Sequence, residues 1–500
     1  MTAGKPKNAE QWGLKKCCLG ALALLAFLAV GAQAATPVMA PKKDAWEKSV
    51  GGREAARHLL KARLSGWPAR LVVPREELPQ GEREFLERLA RDTWRGLRDL
   101  SDAGHGLPLD NVGFDGGLEA AAAQIGDYTS VTNVGVHLAA VVAAFELGLV
   151  DRAEAQRLTS LTLDTLDRLE SYRGFFYNYY DTTSLERTSH FISFVDSAWL
   201  TAGLMTARMA FPELAPRCSK FIDRSNYAFF YDKKWKLMRH GYYVDKKRFA
   251  DAHYGVLYTE ARLGSLIAIG KGDAPPEHWF RMIRTFPKRD RWQAMPPQSR
   301  RVKRVNGYKV TGGHYRWKDI DFVPSWGGSM FEALMPALLI DEQAHAPQSL
   351  GANDQAHATV QRRYATEELG YPVWGMSPSA TPGSVRYAEY GVPILGAKGY
   401  LPGVVTPHAA ALGLLATPQE AAANLLELAR RYPLYGEYGL YDAVNPISGA
   451  VARKYLVLNQ SMILIALANH LKDHAVQRRF AGDPIMQKAL PLIGVENFFD

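Results

Sequence analysis

From residue 80 onward apolar positions recur at helical spacing, and two kinds of helical segment alternate along the chain. The first kind is amphipathic and charged: REFLERLARDTWRGLRDL (83–100), RAEAQRLTSLTLDTLDRLESY (152–172), PELAPRCSKFIDRSN (212–226), PPEHWFRMIRTF (275–286), NDQAHATVQRRYATEEL (353–369) and PQEAAANLLELARRY (418–432). One apolar stripe and one wet face mark these as an outer layer. The second kind is apolar nearly all round and rich in Ala and Gly: segments 130–148, 192–211, 254–270, 325–341, 405–417 and 455–471. All-round apolarity predicts burial on both sides. Outer and inner segments alternate about six times. Inner-to-outer connections are short (GLVD, FPEL, GKGDAPP, ATPQ), whereas outer-to-inner connections are long and aromatic. That asymmetry predicts an all-α fold, an (α/α)6 toroid of helical hairpins. Its long loops and a few short strands, such as those within 305–324, gather on one face at the N-terminal ends of the inner helices.

The flanks divide the chain further. Residues 1–34 carry Lys15 and Lys16, an apolar run and Ala32-Gln33-Ala34, the pattern of a signal peptide cleaved after Ala34. A lead-in segment follows at 35–79, then the toroid at 80–475 and a C-terminal tail at 476–500. No later stretch is long and charge-free enough to span a membrane, so the mature protein is expected to be periplasmic or secreted. Cys17 and Cys18 fall in the signal segment, which leaves Cys218 alone and the fold without an internal disulfide. The formal charge is +9, much of it in KRDRWQAMPPQSRRVKR (288–304). Such a loop suits an acidic polymer or a lipid headgroup; no nucleic-acid-binding motif is present.

The long loops mix Tyr, Trp and Phe with Asp, Glu, Arg and Asn, the lining expected of a carbohydrate groove. They supply Tyr180, Asp181, Trp374, Tyr390, Glu437 and Tyr441 as candidate substrate contacts; Asp196, Tyr254, Arg262, Trp326 and Glu332 join them from the inner segments. Most inner segments carry a polar residue near their start: Asn133, Asp196, Glu260, Glu332, His408 and Asn459. Hydrolysis of a glycosidic bond needs one protonated and one ionised carboxyl group. On a helix over 254–270, Glu260 faces Val256, Leu257, Leu263 and Gly264, surroundings that raise a carboxyl pKa and suit the acid. For the ionised partner Asp442, Glu437, Glu389, Glu332 and Asp196 compete. His240, His253 and His314 are scattered, with no metal-ligand spacing, and neither a phosphate loop nor a Gly-x-Ser-x-Gly elbow occurs. No cofactor or metal is expected.

The runs YTEARLGSLIAIGKGDAPPEHWF, SWGGSMFEALMPALLID, GYPVWGMSPS, EYGVPILG and YGEYGLYDAVN resemble the glucoamylase-like bacterial toroid family. That family includes endo-β-1,2-glucanases and the C-terminal toroid of cyclic β-1,2-glucan synthases, and the resemblance covers most of 100–470. It implies that Glu260 of the Glu-Ala-Arg-Leu run is the acid and that Asp196 helps hold substrate. Where relatives keep a second carboxylate, this chain reads Trp374-Gly375-Met376-Ser377-Pro378-Ser379-Ala380-Thr381-Pro382, with Pro378 in the nucleophile's place. The resulting expectation is an exported, inverting glycoside hydrolase of a bacterial glucan or exopolysaccharide. Glu260 is its acid, and Asp442 then Glu389 are the candidates for the base. A polysaccharide or oligosaccharide is the expected partner, alongside exopolysaccharide-pathway proteins. Two alternatives stand beside this reading: a non-catalytic polysaccharide-binding or export component with a decayed site, and a polysaccharide lyase.

Overall fold

The computed structural model describes residues 53–290, 293–384 and 386–500. The signal-peptide reading, Cys17, Cys18 and the first part of the lead-in lie outside these residues. In chain order the main helices are α1 (Arg53–Ala62), α2 (Glu82–Asp99), α3 (Val131–Glu146), α4 (Arg152–Leu166), α5 (Phe194–Ala210), α6 (Ala215–Arg224), α7 (Arg262–Lys271) and α8 (Glu277–Arg281). There follow α9 (Met330–Leu334), α10 (Leu350–Arg363), α11 (Pro407–Leu412), α12 (Pro418–Arg431), α13 (Val457–Leu471), α14 (Ala475–Ala481) and α15 (Pro484–Ala489).

The apolar segments form an inner circuit. Helix α3 packs on α5 and α13, α5 also on α7, and α11 on both α9 and α13. Between α7 and α9 the circuit is joined by Arg262, whose guanidinium donates to Glu332 O (3.3 Å) and Ala333 O (2.6 Å). The amphipathic helices lie behind: α2 on α13, α4 on α3, α6 on α5, α10 on α9 and α12 on α11. Helices α3 and α5 approach closely: a Cβ at Gly203 would collide with Gly135 O and one at Gly135 with Trp199 O, so only glycine lets these backbones meet. Ser130, Ser193 and Ser329 cap α3, α5 and α9 by accepting from the N–H three residues on, and at α9 Glu332 completes a capping box.

Short strands stand directly before the inner helices. Tyr128–Ser130 pairs antiparallel with Tyr179–Asp181 ahead of α3, Phe191–Ser193 with Gly241–Tyr243 ahead of α5, and Lys454–Leu456 with Asn111–Gly113 ahead of α13. Strands also occupy 299–322, as Ser299–Val305, Tyr308–Trp317 and Ile320–Phe322.

Two segments depart from the helical pattern. Helix α7 begins at Arg262, not at 254, because Tyr254 is held in a strand against Met238 and Leu257 N donates to Ile283 O. Helix α8 ends at Arg281, not 286, because Ile283 N donates to Gly255 O and Arg284 N to Thr311 O, which draws the chain into extended form. The backing of α7 comes instead largely from α15 in the C-terminal segment, where Phe480, Ile493 and Phe498 are buried. The lead-in is tied down as well: Glu437 accepts from the N–H groups of Ala69 (2.5 Å) and Arg70 (3.1 Å). Among the described residues no helix is long and apolar enough to cross a membrane.

Candidate active site

Glu260 lies in the turn that leads into α7, two residues before the helix begins, at the end where the strands and long loops gather. It is half-buried. Its carboxyl pKa is pushed up to about 8, first by burial and then by the negative charge of Glu332, with Asp196 adding to both. A backbone N–H and the charge of Arg262 pull the other way and lose. A carboxyl group in this state still carries its proton at neutral pH, as a general acid must.

The charges around Glu260 come from the first turns of neighbouring inner helices. Asp196, third residue of α5, accepts from Thr132 Oγ1 of α3 at 2.7 Å, and burial raises its pKa. Glu332 accepts from Gly327 N (3.0 and 2.9 Å), Ser325 Oγ (3.0 Å) and Ser329 N (3.3 Å), so its oxygens are spent on the 325–329 loop. Burial still raises its pKa, and it acts on Glu260 through its field. Tyr254 stands in electrostatic contact with Glu260 and Asp196, its ring 4.2 Å from that of His240. Glu389 is half-buried on the 387–400 loop; burial raises its pKa, while a hydrogen bond from Tyr400 and the charge of Lys398 lower it. Tyr400 in turn faces Glu332, Glu389, Glu260 and Tyr387.

Asp442 has a different environment. It is 1% exposed, with Oδ2 accepting from Ala380 N (2.6 Å) and Oδ1 from Asn459 Nδ2 (2.7 Å). Burial pushes its pKa up to about 6 against those bonds and Lys454. Asp442 therefore supports, from behind, the tract at Ala380.

Several expected substrate contacts are engaged within the fold. Arg262 is fully buried and forks onto Glu342 (Nε–Oε1 2.8 Å, Nη2–Oε2 2.6 Å); it neither reaches the cleft nor pairs with Glu260. Tyr180 is buried, its hydroxyl donating to Glu170 O and accepting from Tyr177 N. Its strand neighbour Tyr179, half-buried and in electrostatic contact with Asp196, Asp110 and Tyr387, faces the cluster in its place. Asp181 caps the turn at Thr183 N and Ser184 N. Trp374 is buried with its backbone clamped by Asn424, and Tyr441 is buried with its hydroxyl on Leu71 O. Glu437 holds the lead-in, as described above. Trp326 is buried in the loop organised by Glu332, and its carbonyl accepts from Lys398 N; Tyr390 bonds Thr381 through its hydroxyl.

Asp110, Tyr128, Tyr179, Tyr387 and Tyr400 join this cluster without being expected from the sequence. Asp110 accepts from Asn133 (3.0 Å) and Asn111 (2.8 Å), and burial raises its pKa. Tyr128 and Tyr179 flank it across the strand pair that feeds α3. Alternation along that pair is the signal that would find them. Among the described residues no three of His, Cys, Asp and Glu are grouped so as to hold a metal ion.

Residues 296–484 match the family model Glycoamylase, described as "Putative glucoamylase". The chain is 30% identical over 292 residues to the cyclic beta-(1,2)-glucan synthase NdvB of Rhizobium meliloti, which covers 55% of this chain and 9% of that protein. It is 22% identical over 456 residues to the exo beta-1,2-glucooligosaccharide sophorohydrolase (non-reducing end) of Parabacteroides distasonis, covering 83% of this chain and 58% of that one. It thus spans only part of the length of both relatives. Among solved structures, the endo-beta-1,2-glucanase of Chitinophaga pinensis in complex with sophorotriose and glucose superposes with a TM-score of 0.66 at 15% identity, over 83% of this chain and 99% of that one. The beta-1,2-glucanase of Parabacteroides distasonis gives 0.66 at 18% identity, over 83% and 60%. At these identities the structural likeness speaks to the fold.

Proposed function

We propose that this chain, glycoamylase-like and related to β-1,2-glucanases and a cyclic glucan synthase, is an exported glycoside hydrolase of a β-1,2-linked glucan. The fold is read as an (α/α)6 toroid, supported by the circuit of six inner helices with a helix behind each. The observation that carries the activity is Glu260, a carboxyl group held protonated near neutrality among further carboxylates and tyrosines at the loop-bearing end of the inner helices. Its proton passes to the glycosidic oxygen as the bond to the anomeric carbon breaks. A water attacks that carbon from the opposite side and gives its proton to the second carboxylate, which inverts the anomeric configuration.

For that second carboxylate, Glu389 is preferred over Asp442. Glu389 is half-buried, with part of its side chain open to solvent, whereas Asp442 is closed off with both oxygens engaged. Pro378, in the place where relatives keep a nucleophile, supports inversion over a covalent intermediate. Export rests on the pattern of residues 1–34. The test is incubation of the purified mature chain with linear β-1,2-glucan, other glucans and acidic polysaccharides, read by product chromatography and by proton NMR of the first anomer formed. New reducing ends of inverted configuration from β-1,2-glucan alone are expected. Products with unsaturated, ultraviolet-absorbing ends, or none from any glucan, would remove the hydrolase reading.

A further inference from the structure

The hairpin of Ser299–Val305 and Tyr308–Trp317 carries cations that the cleft does not use. Its strands pair from Ser299 opposite His314 to Val305 opposite Tyr308, around a turn at Asn306 and Gly307, both with positive φ. Successive residues point to opposite faces. One face is anchored in the fold. Val305 and Val310 are buried, Tyr308 stacks on Phe280 of α8 with ring centroids 4.8 Å apart, and Lys303 pairs with Glu496 at 3.6 Å. The register puts Arg300, Val302 and Arg304 with Lys309, Thr311 and Gly313 on the other face. There Arg300, Val302, Arg304 and Lys309 are all exposed, Val302 to 61%, and Arg301 beside them is exposed as well.

Two observations separate this face from an ordinary solvated edge. Arg304 stands directly across from Lys309, a like-charge pair that works against the sheet. Among the described residues, moreover, none of Arg300, Arg301, Arg304 and Lys309 forms a salt bridge; Asp290, the preceding acid in the chain, pairs with Arg289 at 3.8 Å. Ser299–Val305 is the outermost strand of its sheet, and charge there guards against pairing with another chain, but a guard does not call for a like-charge pair. What the face fits is an anionic surface. Aliphatic Val302 sits between Arg300 and Arg304, which are about 13 Å apart along the strand. The paired residues of the face include no aromatic ring, and Tyr308, on which a sugar could stack, is spent on Phe280. An acidic polysaccharide would therefore find charge without a platform. A bilayer surface uses both features: long Arg and Lys side chains reach headgroup phosphates while the apolar side chain between them meets the acyl boundary. We propose that this open hairpin face docks the protein on a bilayer surface bearing anionic phospholipid headgroups, with Arg300, Arg301, Arg304 and Lys309 on the phosphates and Val302 among them. Such docking is independent of the hydrolase reading, because none of these residues belongs to the groups around Glu260.

The test is co-sedimentation of the purified mature chain with vesicles of phosphatidylcholine alone, or with about one third phosphatidylglycerol, at low salt. Binding to the anionic vesicles only is expected, and it should be lost as salt rises to about 0.5 M. One Lys or Arg near such a surface is worth about five-fold in partitioning. Joint replacement Arg300→Gln, Arg301→Gln, Arg304→Gln and Lys309→Gln should therefore weaken binding at least about 100-fold. Removing the same charge elsewhere, from exposed Arg91, Arg168, Lys247 and Lys472, should weaken it by less than about five-fold. Should the joint variant fail to fold, Arg304→Glu still decides. It turns the pair with Lys309 into one of opposite charge, so it should melt no lower than wild type and yet bind about twenty-fold more weakly. Equal binding to neutral vesicles, an equal loss on removing the charges elsewhere, or Arg304→Glu binding as wild type does would overturn the proposal. So would an absence of binding to anionic vesicles, whether or not beads bearing an acidic polysaccharide capture the chain.

Discussion

Replacing Glu260 by Gln should stabilise the protein at alkaline pH while abolishing turnover. The carboxyl group titrates at about 8 in the fold against 4.5 for an ordinary glutamate. Between those values the fold retains a proton that the unfolded chain has released, so wild-type stability falls as pH rises, by about 1.4 kcal/mol per unit. Below 4.5 both states are protonated and nothing is lost; above 8 both are ionised and the loss is complete. The full window of about 3.5 units sets a ceiling near ~5 kcal/mol, and water in the cleft screens this to about 2–3 kcal/mol. Gln has the same shape and does not titrate. Unfolding entropy is about 2.1 cal/mol/K per residue, or roughly 1 kcal/mol/K for this chain, so the variant should melt about 2–3 °C above wild type at pH 8.5 and level with it at pH 5. Scanning calorimetry at both pH values reads the difference. A constant offset across the range, or a wild type that melts higher at pH 8.5, would refute the reasoning.

Other substitutions test separate parts of the site. Glu332→Gln removes the charge that most raises the Glu260 pKa, so the alkaline limb of kcat/KM, expected near pH 8 from the Glu260 titration, should move to lower pH; a limb that stays in place would exclude the coupling. Arg262→Ala leaves Glu342 and Asp354 buried without their cation and should cost about 3–5 kcal/mol, read as a fall in melting temperature; a variant as stable as wild type would contradict the burial argument. Glu389→Gln should lower kcat by about 10²–10⁴-fold, whereas Asp442→Asn should lower it far less while reducing thermal stability; the reverse order would return the base role to Asp442.

What could be read from the chain alone was what local pattern encodes. The alternation of wet-faced and all-apolar helices marks the outer and inner layers, and the polar residue near each inner start marks where a cleft can form. Glu260 was legible as a carboxylate among apolar neighbours. Its helix was not, because an apolar run does not tell a buried extended stretch from a helix, and here Ile283 captures the backbone at 255–257. The partners of Arg262, Tyr441 and Glu437 lie far off in sequence, at Glu342, Leu71 and Ala69, where no local pattern reveals them. Tyr180 and Tyr179 exchange roles because the phase of a strand is set by its partner, here Tyr128–Ser130, and not by its own residues. Tyr400 carried no local signal at all; its place depends on the absence of a side chain at Gly327, some seventy residues earlier.

The central claim is that Glu260 donates the proton that cleaves a β-1,2-glucosidic bond. The most direct measurement is the release of reducing ends from linear β-1,2-glucan by purified wild type and Glu260→Gln, with the variant's binding of the same glucan measured alongside. The account predicts steady release by wild type, none by the variant, and retained binding in both. Release by Glu260→Gln at the wild-type rate, or glucan binding by wild type with no release, would contradict it.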